Sequence, residues 1–259
     1  MKLSIVTISF NQSRFLEQAI RSVVEQDYQD LEYIVVDPGS TDGSREIIEK
    51  YRSRISKIIF EPDTGPADGL NKGFAQATGE ICGYLNADDY FEPGAFQRVA
   101  HLFEAKPDVD VLCGAIRIVD GAGKARLRTG IADTFNLKRV VAGACWVGQQ
   151  GTFFRRSAFE RTAGFRCENR TCWDGELLVD LALSHSRFAV MHKVLGNFRI
   201  HAQSISGSNR LNHQYLQDLE RIRTRLAAAD IAVTPVRSAT LRLKHKTNVI
   251  RHLRSLIVR

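Results

Sequence analysis

Short β-rich runs alternate with segments of helical period in the N-terminal part of the chain, and that alternation constrains the fold more than any other feature. Leu3 to Phe10 (LSIVTISF) runs out into the polar Asn11-Gln12; Phe15, Leu16, Ala19, Ile20, Val23 and Val24 then recur at helical spacing, with Ser13 available as N-cap. Leu31 to Asp37 (LEYIVVD) is strand-like and stops in Asp37-Pro38-Gly39-Ser40-Thr41-Asp42-Gly43, a loop of Gly, Pro and short polar residues. Ile47, Ile48 and Tyr51 mark a second helix, and Lys57 to Phe60 a third strand. Strands joined through helices of this length imply right-handed crossovers, so the order predicts an α/β, Rossmann-like, mainly parallel sheet flanked by helices. In such sheets ligands gather at the carboxyl ends of strands, which sets Asn11, Asp37 and Asp88-Asp89 along one rim.

Further along, Pro93-Gly94 opens a helix and Val109 to Cys113 reads as a strand. Ala115 to Asp120, Gly121-Ala122-Gly123 and Lys124 to Thr129 read as a hairpin, which makes the sheet mixed. Thr152-Phe153-Phe154 is another short strand, Ser157 to Ala163 a short helix, and Ala189 to Phe198 the last strand-like run. Gly207 to Leu226 is a mostly polar helix carrying Leu211, Tyr215, Leu219 and Ile222, which can lie against the domain; Pro235 separates it from a tail. The expected division is a domain over 1–206 and a helical, basic C-terminal extension over 207–259.

A chain of 259 residues with 44% apolar and 25% charged residues can bury a sizeable core. Its five cysteines include no CxxC pair, which argues against a disulfide framework or zinc site. The N-terminus enters a strand-like run directly, with no secretory signal visible, and no apolar run is long enough to cross a bilayer; the expectation is a cytoplasmic protein. The formal charge of +7 is accounted for by the tail, where Arg237, Arg242, Lys244, Lys246, Arg251, Arg254 and Arg259 stand without an acidic residue. This argues against a nucleic-acid-binding body and for a local basic appendage. In it Val249, Ile250, Leu253, Leu256 and Ile257 can share one helical face, a pattern that suits a peripheral helix on anionic lipid and equally a solvated basic end packed on its own domain.

Four places carry candidate chemistry. Tyr84-Leu85-Asn86-Ala87-Asp88-Asp89 is an apolar strand ending in two adjacent carboxylates; like charges there repel, and a divalent metal on a diphosphate reverses that cost, although a solvated Asp-Asp turn has the same pattern. Glu61 to Gly73 opens as a loop and becomes a helix on which Asp68, Asn71 and Lys72 lie within one turn; they can converge on a polar ligand, or Asp68 can simply cap the helix. Asp174 and Glu176 stand at the first turn of the helix marked by Leu177, Leu178, Leu181 and Ala182, where a carboxylate is a dipole partner or a catalytic base. His201 is a metal or phosphate ligand or a surface histidine. Neither GxGxxG nor GxxxxGK occurs.

In their order along the chain, Ser4 to Asn11, Val35 to Ser44, Glu61 to Gly73 and Leu85 to Asp89 resemble the inverting family 2 glycosyltransferases of the type A nucleotide-sugar transferase (GT-A) fold, most of all the bacterial branch that builds surface polysaccharides. The resemblance covers Leu3 to Ser206. It implies donor contacts from Ser9, Asn11, Asp37, Asp68, Lys72 and Asp88, with Asp37 accepting from a uracil or thymine imide N–H. It implies Mn2+ or Mg2+ on the donor diphosphate, held by Asp88 and Asp89 with His201 near it, and Asp174 as the base that deprotonates the acceptor hydroxyl. Two positions depart from the commonest pattern: Pro38 stands where a second Asp is frequent, and Asn86 where a first Asp is.

The activity so implied is metal-dependent, inverting transfer from a UDP- or dTDP-sugar to a glycan acceptor, polyprenyl-diphosphate-linked in the usual case, by an enzyme in the cytoplasm or peripheral on the inner face of the plasma membrane. The alternatives are a sugar-phosphate nucleotidylyltransferase, whose Gly- and Arg-rich triphosphate loop is not found in Ser9-Phe10-Asn11-Gln12-Ser13, and a non-catalytic nucleotide-sugar-binding protein.

Overall fold

The computed structural model describes residues 1–208 and 210–246. Strands β1 (Leu3–Ile8), β2 (Leu31–Val36), β3 (Lys57–Ile59) and β4 (Ile81–Asn86) form a parallel block in the order β3-β2-β1-β4. β8 (Thr152–Arg155) continues the sheet antiparallel to β4 and to β6 (Val111–Asp120); β9 (Phe188–Ile200) then lies parallel to β6, and the short β5 (Tyr90–Phe91) closes the edge. β7 (Ala125–Gly130) pairs with β6 as the expected hairpin. The mixed, mainly parallel α/β plan is therefore the one the alternation predicts.

The block is apolar on both faces, and the strand period of two divides its side chains between them. Leu3 and Ile5 of β1, Tyr33 and Val35 of β2 and Ile81 and Leu85 of β4 pack under α1 (Ser13–Val24) and α4 (Ala95–Ala105). Val6, Ile34, Val36, Cys82 and Tyr84 pack on the other side against α3 (Pro66–Phe74) and α7 (Trp173–Leu183). Gly73 lets α3 approach: a Cβ there would fall 2.4 Å from Val6 Cγ1.

Three local expectations change. Ser13 is the first residue of α1 rather than its cap; the carboxylate of Asp42, from the loop after β2, accepts from Ser13 N at 2.9 Å and binds two neighbouring loops together. Burial disfavours that carboxylate, but hydrogen bonds from Ser44 and Ser13 outweigh it and hold Asp42 at a pKa of about 2. Val109 to Cys113 and the first arm of the hairpin are one strand, because Gly114 admits Leu195 and the Gly151 carbonyl where a side chain would stand, and the register with β9 shifts there. The helix expected over Ser157 to Ala163 is the shorter α6 (Arg156–Phe159).

The boundary expected at residue 206 falls between packed segments. After α8 (Ile205–Ser208), α9 (Asn212–Ala228) lays Ile222 and Leu226 against Val179 of α7 and brings two arginines to a buried carboxylate. Glu176, whose side chain is 1% exposed, accepts from Arg221 Nη2 and Arg225 Nη1 at 2.6 Å each and from Asn169 Nδ2 at 2.8 Å. Arg225 also pairs with Asp180, and Asp218 of α9 accepts from Thr171 Oγ1 at 2.6 Å and Arg170 N at 3.0 Å. Burying Glu176 would carry a large desolvation cost without these partners.

The last described helix, α10 (Pro235–Lys246), reaches the body near α5 (Leu137–Val141), where His245 Nδ1 lies 3.4 Å from Asp133. The apolar and basic residues expected on an amphipathic tail helix, Val249 to Ile257, lie outside the described residues. Among the described residues no helix is long and apolar enough to cross a membrane.

Arg225→Ala removes one of three guanidinium partners from Glu176 and one of two from Asp180; the expected loss is roughly 1.5–3 kcal/mol of unfolding free energy, measured by urea denaturation. A change below about 0.5 kcal/mol would show that α9 is not fastened through this pair.

Candidate active site

A cavity of about 540 Å3 opens where β1 and β4 end side by side. This is the point at which the strand order turns from β2 and β3 on one side of β1 to β4 on the other, the position where open α/β sheets take their ligands. Parallel pairing matches Ile8 with Asn86, so Ser9 and Asn86-Ala87-Asp88 leave the sheet together onto one wall. Asp63, Gly65 and Pro66, before and at the start of α3, form a second edge; Trp146 to Gln150 form a third; Thr171 to Asp174, Gln203 to Ser206, Arg210 and Tyr215 complete the enclosure.

The wall contains polar atoms that the protein leaves unpaired. Ser9 Oγ, Asn86 Oδ1 and Trp173 Nε1 are enclosed and have no hydrogen-bond partner, and all three residues line the cavity. Buried polar atoms without partners are rare in folded proteins, and these three lie just behind the surface of one cavity.

The two carboxylates after β4 part company. Asp89 turns inward: its Oδ1 accepts from Arg199 N at 2.8 Å, its Oδ2 from Gln150 Nε2 at 2.6 Å, and it is 1% exposed. Burial, and then the charge of Asp88, push its carboxyl well above the usual range. Asp88 stays on the wall, with its backbone oxygen accepting from Arg199 Nε at 2.7 Å and its Oδ2 lying 3.1 Å from His201 Nε2. The Arg199 guanidinium sits over Phe15 and beside Tyr90 and donates to Gln18 at 2.6 Å, so one buried arginine holds the backbone on which Asp88 is mounted. His201 rests on Phe15, with ring centroids 4.7 Å apart, and lies behind Asp88 rather than on the wall.

Asp174 enters the cavity from the first turn of α7, and burial raises its carboxyl above the ordinary range while the backbone N–H groups of Gly175 and Asp174 oppose the shift. A carboxylate so placed accepts a proton more readily than one in water, the property a general base needs. The next carboxylate on the helix, Glu176, is spent on the arginines of α9.

Of the residues singled out in the sequence, the structure brings Ser9, Asp88 and Asp174 onto one cavity with His201 in support, and it keeps six others off the wall. Asp37 is fully buried, and its oxygens accept from Gly39 N, Ser40 N, Ser40 Oγ and Arg45 Nε, so it shapes its loop. Pro38 is the cavity residue there. Asn11, at φ 52°, joins the loops after β1 and β2 by accepting from Thr41 N at 2.9 Å while its own N–H donates to Ser40 Oγ. Asp68 and Lys72 pair with each other at 3.3 Å, and Lys72 also donates to the Pro62 carbonyl. Asn71 holds the backbone of Phe165 by two hydrogen bonds. Asp89 is the inward carboxylate described above.

Asp63, Gln149, Gln150, Trp146 and Trp173 were not singled out. Asp63 lies between two helix-start signals that drew attention to Asp68 instead. Gln149-Gln150 carried a usable cue, two adjacent amides immediately before an apolar strand; Gln149 now donates to the Tyr84 carbonyl at 2.6 Å.

Among the described residues no three His, Cys, Asp or Glu groups converge. Asp88, with His201 at 3.1 Å able to exchange its hydrogen bond, fits an ion that is held by one or two protein ligands and otherwise by substrate phosphates and water.

A β3-β2-β1-β4 core opening onto a carboxylate at the end of β4 is the GT-A plan of sugar-nucleotide transferases. The family model described as glycosyl transferase family 2 matches residues 4–163, more than half of the chain, and the protein belongs to that family. An uncharacterised glycosyltransferase of Nostoc is 29% identical over 78% of this chain, which spans 65% of that relative; one of Mycobacterium tuberculosis is 28% identical over 84% of this chain and 91% of its own length. Among solved structures, Staphylococcus aureus TarS in complex with UDP-GlcNAc superposes with a TM-score of 0.72 at 20% identity, over 98% of this chain and 73% of that one. The mannosyltransferase PcManGT of Pyrobaculum calidifontis, in complex with GDP-Man and Mn2+, gives 0.62 at 20% identity over 99% and 85%. At such identities these structures speak for the fold.

Ser9 and Asp89 should separate in a stability measurement. Ser9→Ala removes an oxygen with no protein partner and should change unfolding free energy by less than about 1 kcal/mol, whereas Asp89→Ala strands two enclosed N–H donors and should cost roughly 2–5 kcal/mol; equal effects would contradict the division of roles.

Proposed function

We propose that the protein is an inverting glycosyltransferase that moves a sugar from a uridine or thymidine diphosphate donor to a hydroxyl of a glycan acceptor in surface-polysaccharide or wall-polymer synthesis. The observation that carries this is the presence of Asp88 and Asp174 on opposite segments of one cavity at the strand-order turn, within a family 2 chain. The donor class is supported by the TarS complexes with UDP and UDP-GlcNAc, and the polymer class by TarS and a Bacillus subtilis teichuronic acid relative that is 31% identical over 37% of this chain.

In this proposal the nucleoside diphosphate lies along the ends of β1 and β4. Ser9 and Asn86 line its path, and Asp63 is the carboxyl on the cavity wall at the nucleoside edge. Asp88, with His201, would hold Mn2+ or Mg2+ at the diphosphate, where a divalent cation neutralises leaving-group charge. Asp174 takes the proton from the acceptor hydroxyl as its oxygen bonds to the anomeric carbon. The bond to the diphosphate breaks on the opposite face, so the configuration inverts. The acceptor is a lipid-linked glycan and the enzyme works at the inner membrane face, with basic α10 and the residues beyond it on anionic lipid; their positive charge supports that placement.

Asp174→Asn should lower transfer from a UDP-sugar about 10^2- to 10^4-fold, with donor affinity by calorimetry unchanged; full activity would remove Asp174 as the base. A base works ionised, so burial's upward shift of Asp174 moves the acid limb of the kcat/KM profile above the ordinary carboxylate range, and transfer is lost as pH falls through it. A profile flat down to pH about 4 would contradict that role. Mn2+ should bind about tenfold or more tightly with UDP present than alone, read by calorimetry; tight binding without UDP would contradict an ion shared with phosphate.

A further inference from the structure

The cavity edge formed by Trp146 to Gln150 is fastened at both of its ends, and the two fastenings differ. At the end that enters β8, two amides hold it to the strand beside it: Gln149 Nε2 donates to the Tyr84 carbonyl and Gln150 Nε2 to Asp89, each at 2.6 Å. At the Trp146 end a single carboxylate does this. The Trp146 N–H donates to Asp133 Oδ2 at 2.8 Å, and the Asp133 N–H donates back to the Trp146 carbonyl at 2.8 Å. The pair closes the segment that carries α5 into a loop. The half-buried ring of Trp146 then occupies the space that a side chain at Gly130 would take, and so forms the edge itself.

Asp133 is 7% exposed, and an enclosed carboxylate is costly unless several donors share it. Arg139 supplies one, with Nη2 at 3.3 Å, while its Nε donates to the Ala144 carbonyl at 3.0 Å and ties the same loop. The other comes from α10. His245 Nδ1 lies 3.4 Å from Asp133 Oδ2 and 3.5 Å from Arg139 Nη2. In one tautomer the ring donates to the carboxylate, and in the other it accepts from the guanidinium, so it has a partner here in both.

The rest of α10 is lightly held. None of its residues is buried; Ser238, Leu241 and His245, at i, i+3 and i+7, are half-buried on one face, and the others are exposed. An element with so little burial opens at low free energy. His245 is thus the place where a weakly docked helix touches the groups that fix Trp146.

We propose that Asp133 is a positioning residue for the Trp146 edge of the cavity, and that α10, docked on it through His245, controls that edge, so that undocking of the C-terminal helix loosens one wall of the site. This concerns the shape of the cavity and does not depend on the reaction assigned to it.

The test uses the full chain labelled with 5-fluorotryptophan. Its two resonances report the two tryptophans and are assigned by the loss of one in Trp146→Phe. His245→Ala should shift and broaden the Trp146 resonance while leaving that of Trp173 in place. It should also speed hydrogen exchange at the Trp146 N–H about fivefold, the effect of weakening one hydrogen bond, read by mass spectrometry of peptides covering Ala144 to Gly148. His245→Gln, whose amide can donate or accept, should restore the native values. Asp133→Ala should produce the larger change, and adding His245→Ala to it should add nothing, because both act through one carboxylate. An unchanged Trp146 resonance and exchange rate in His245→Ala would overturn the control by α10. Equal changes at Trp146 and Trp173, or additive effects in the double variant, would mark general loosening and overturn the positioning role. Neither readout uses turnover, so failure of this proposal and failure of the assigned reaction are separate results.

Discussion

Two adjacent carboxylates at the end of a buried strand cannot both be solvated there, and the protein resolves this by giving them opposite directions. Asp89 is turned into the body and held by Arg199 N and Gln150. Asp88 is then left facing the cavity on a backbone that the same Arg199 fixes. Several distant segments exist in their present places on account of this division. Arg199 and His201 come from the end of β9, Gln150 from the turn before β8, and Phe15 and Gln18 from α1. The antiparallel and crossing half of the sheet is thereby tied to the parallel half at the point where the ligand cavity opens. Low local dielectric makes each of these contacts strong, and it equally makes the loss of any one severe.

The other side of the cavity is built on a different principle. Asp174 stands on a helix whose second carboxylate, Glu176, is buried and would be unstable without a cation. The cations come from α9, beyond the region the family model covers. A buried carboxylate with guanidinium partners is poor evidence for net stability but good evidence for a defined docking geometry. The C-terminal helix is thereby packed onto the helix that carries Asp174.

The parallel block was legible because its strands are mostly apolar runs and its helices carry period-3.6 stripes, two signals that depend only on local sequence. Asp88 and Asp174 were legible because they sit at the ends of such elements. Asp37 shows the limit. Its place at a strand end was read correctly, but whether a carboxylate there faces a ligand or its own loop depends on Ser40 and Arg45 closing over it, and no periodicity reports a hydrogen-bond network. Asp68 and Lys72 show the same limit, since each turned out to be the other's partner. Asp89 was read with Asp88 as a pair because adjacency in sequence says nothing of direction; its partners lie about sixty and one hundred and ten residues away. Tyr215 was legible only as an apolar position on a surface helix.

The two walls therefore differ in how they can change. Ser9, Asn86 and Asp88 are placed by backbone pairing of β1 with β4, where Ile8 is matched to Asn86, and a shift of one residue would turn these side chains to the other face of the sheet. That wall is therefore costly to alter. The wall of Trp173 and Tyr215 is placed by side chains, through Asp218, Arg221 and Arg225 on a helix that no strand constrains. Exchanging Tyr215 leaves every one of those anchors in place. One wall is thus fixed by strand pairing and the other by a docked helix, so a substitution on the second can leave the first in place.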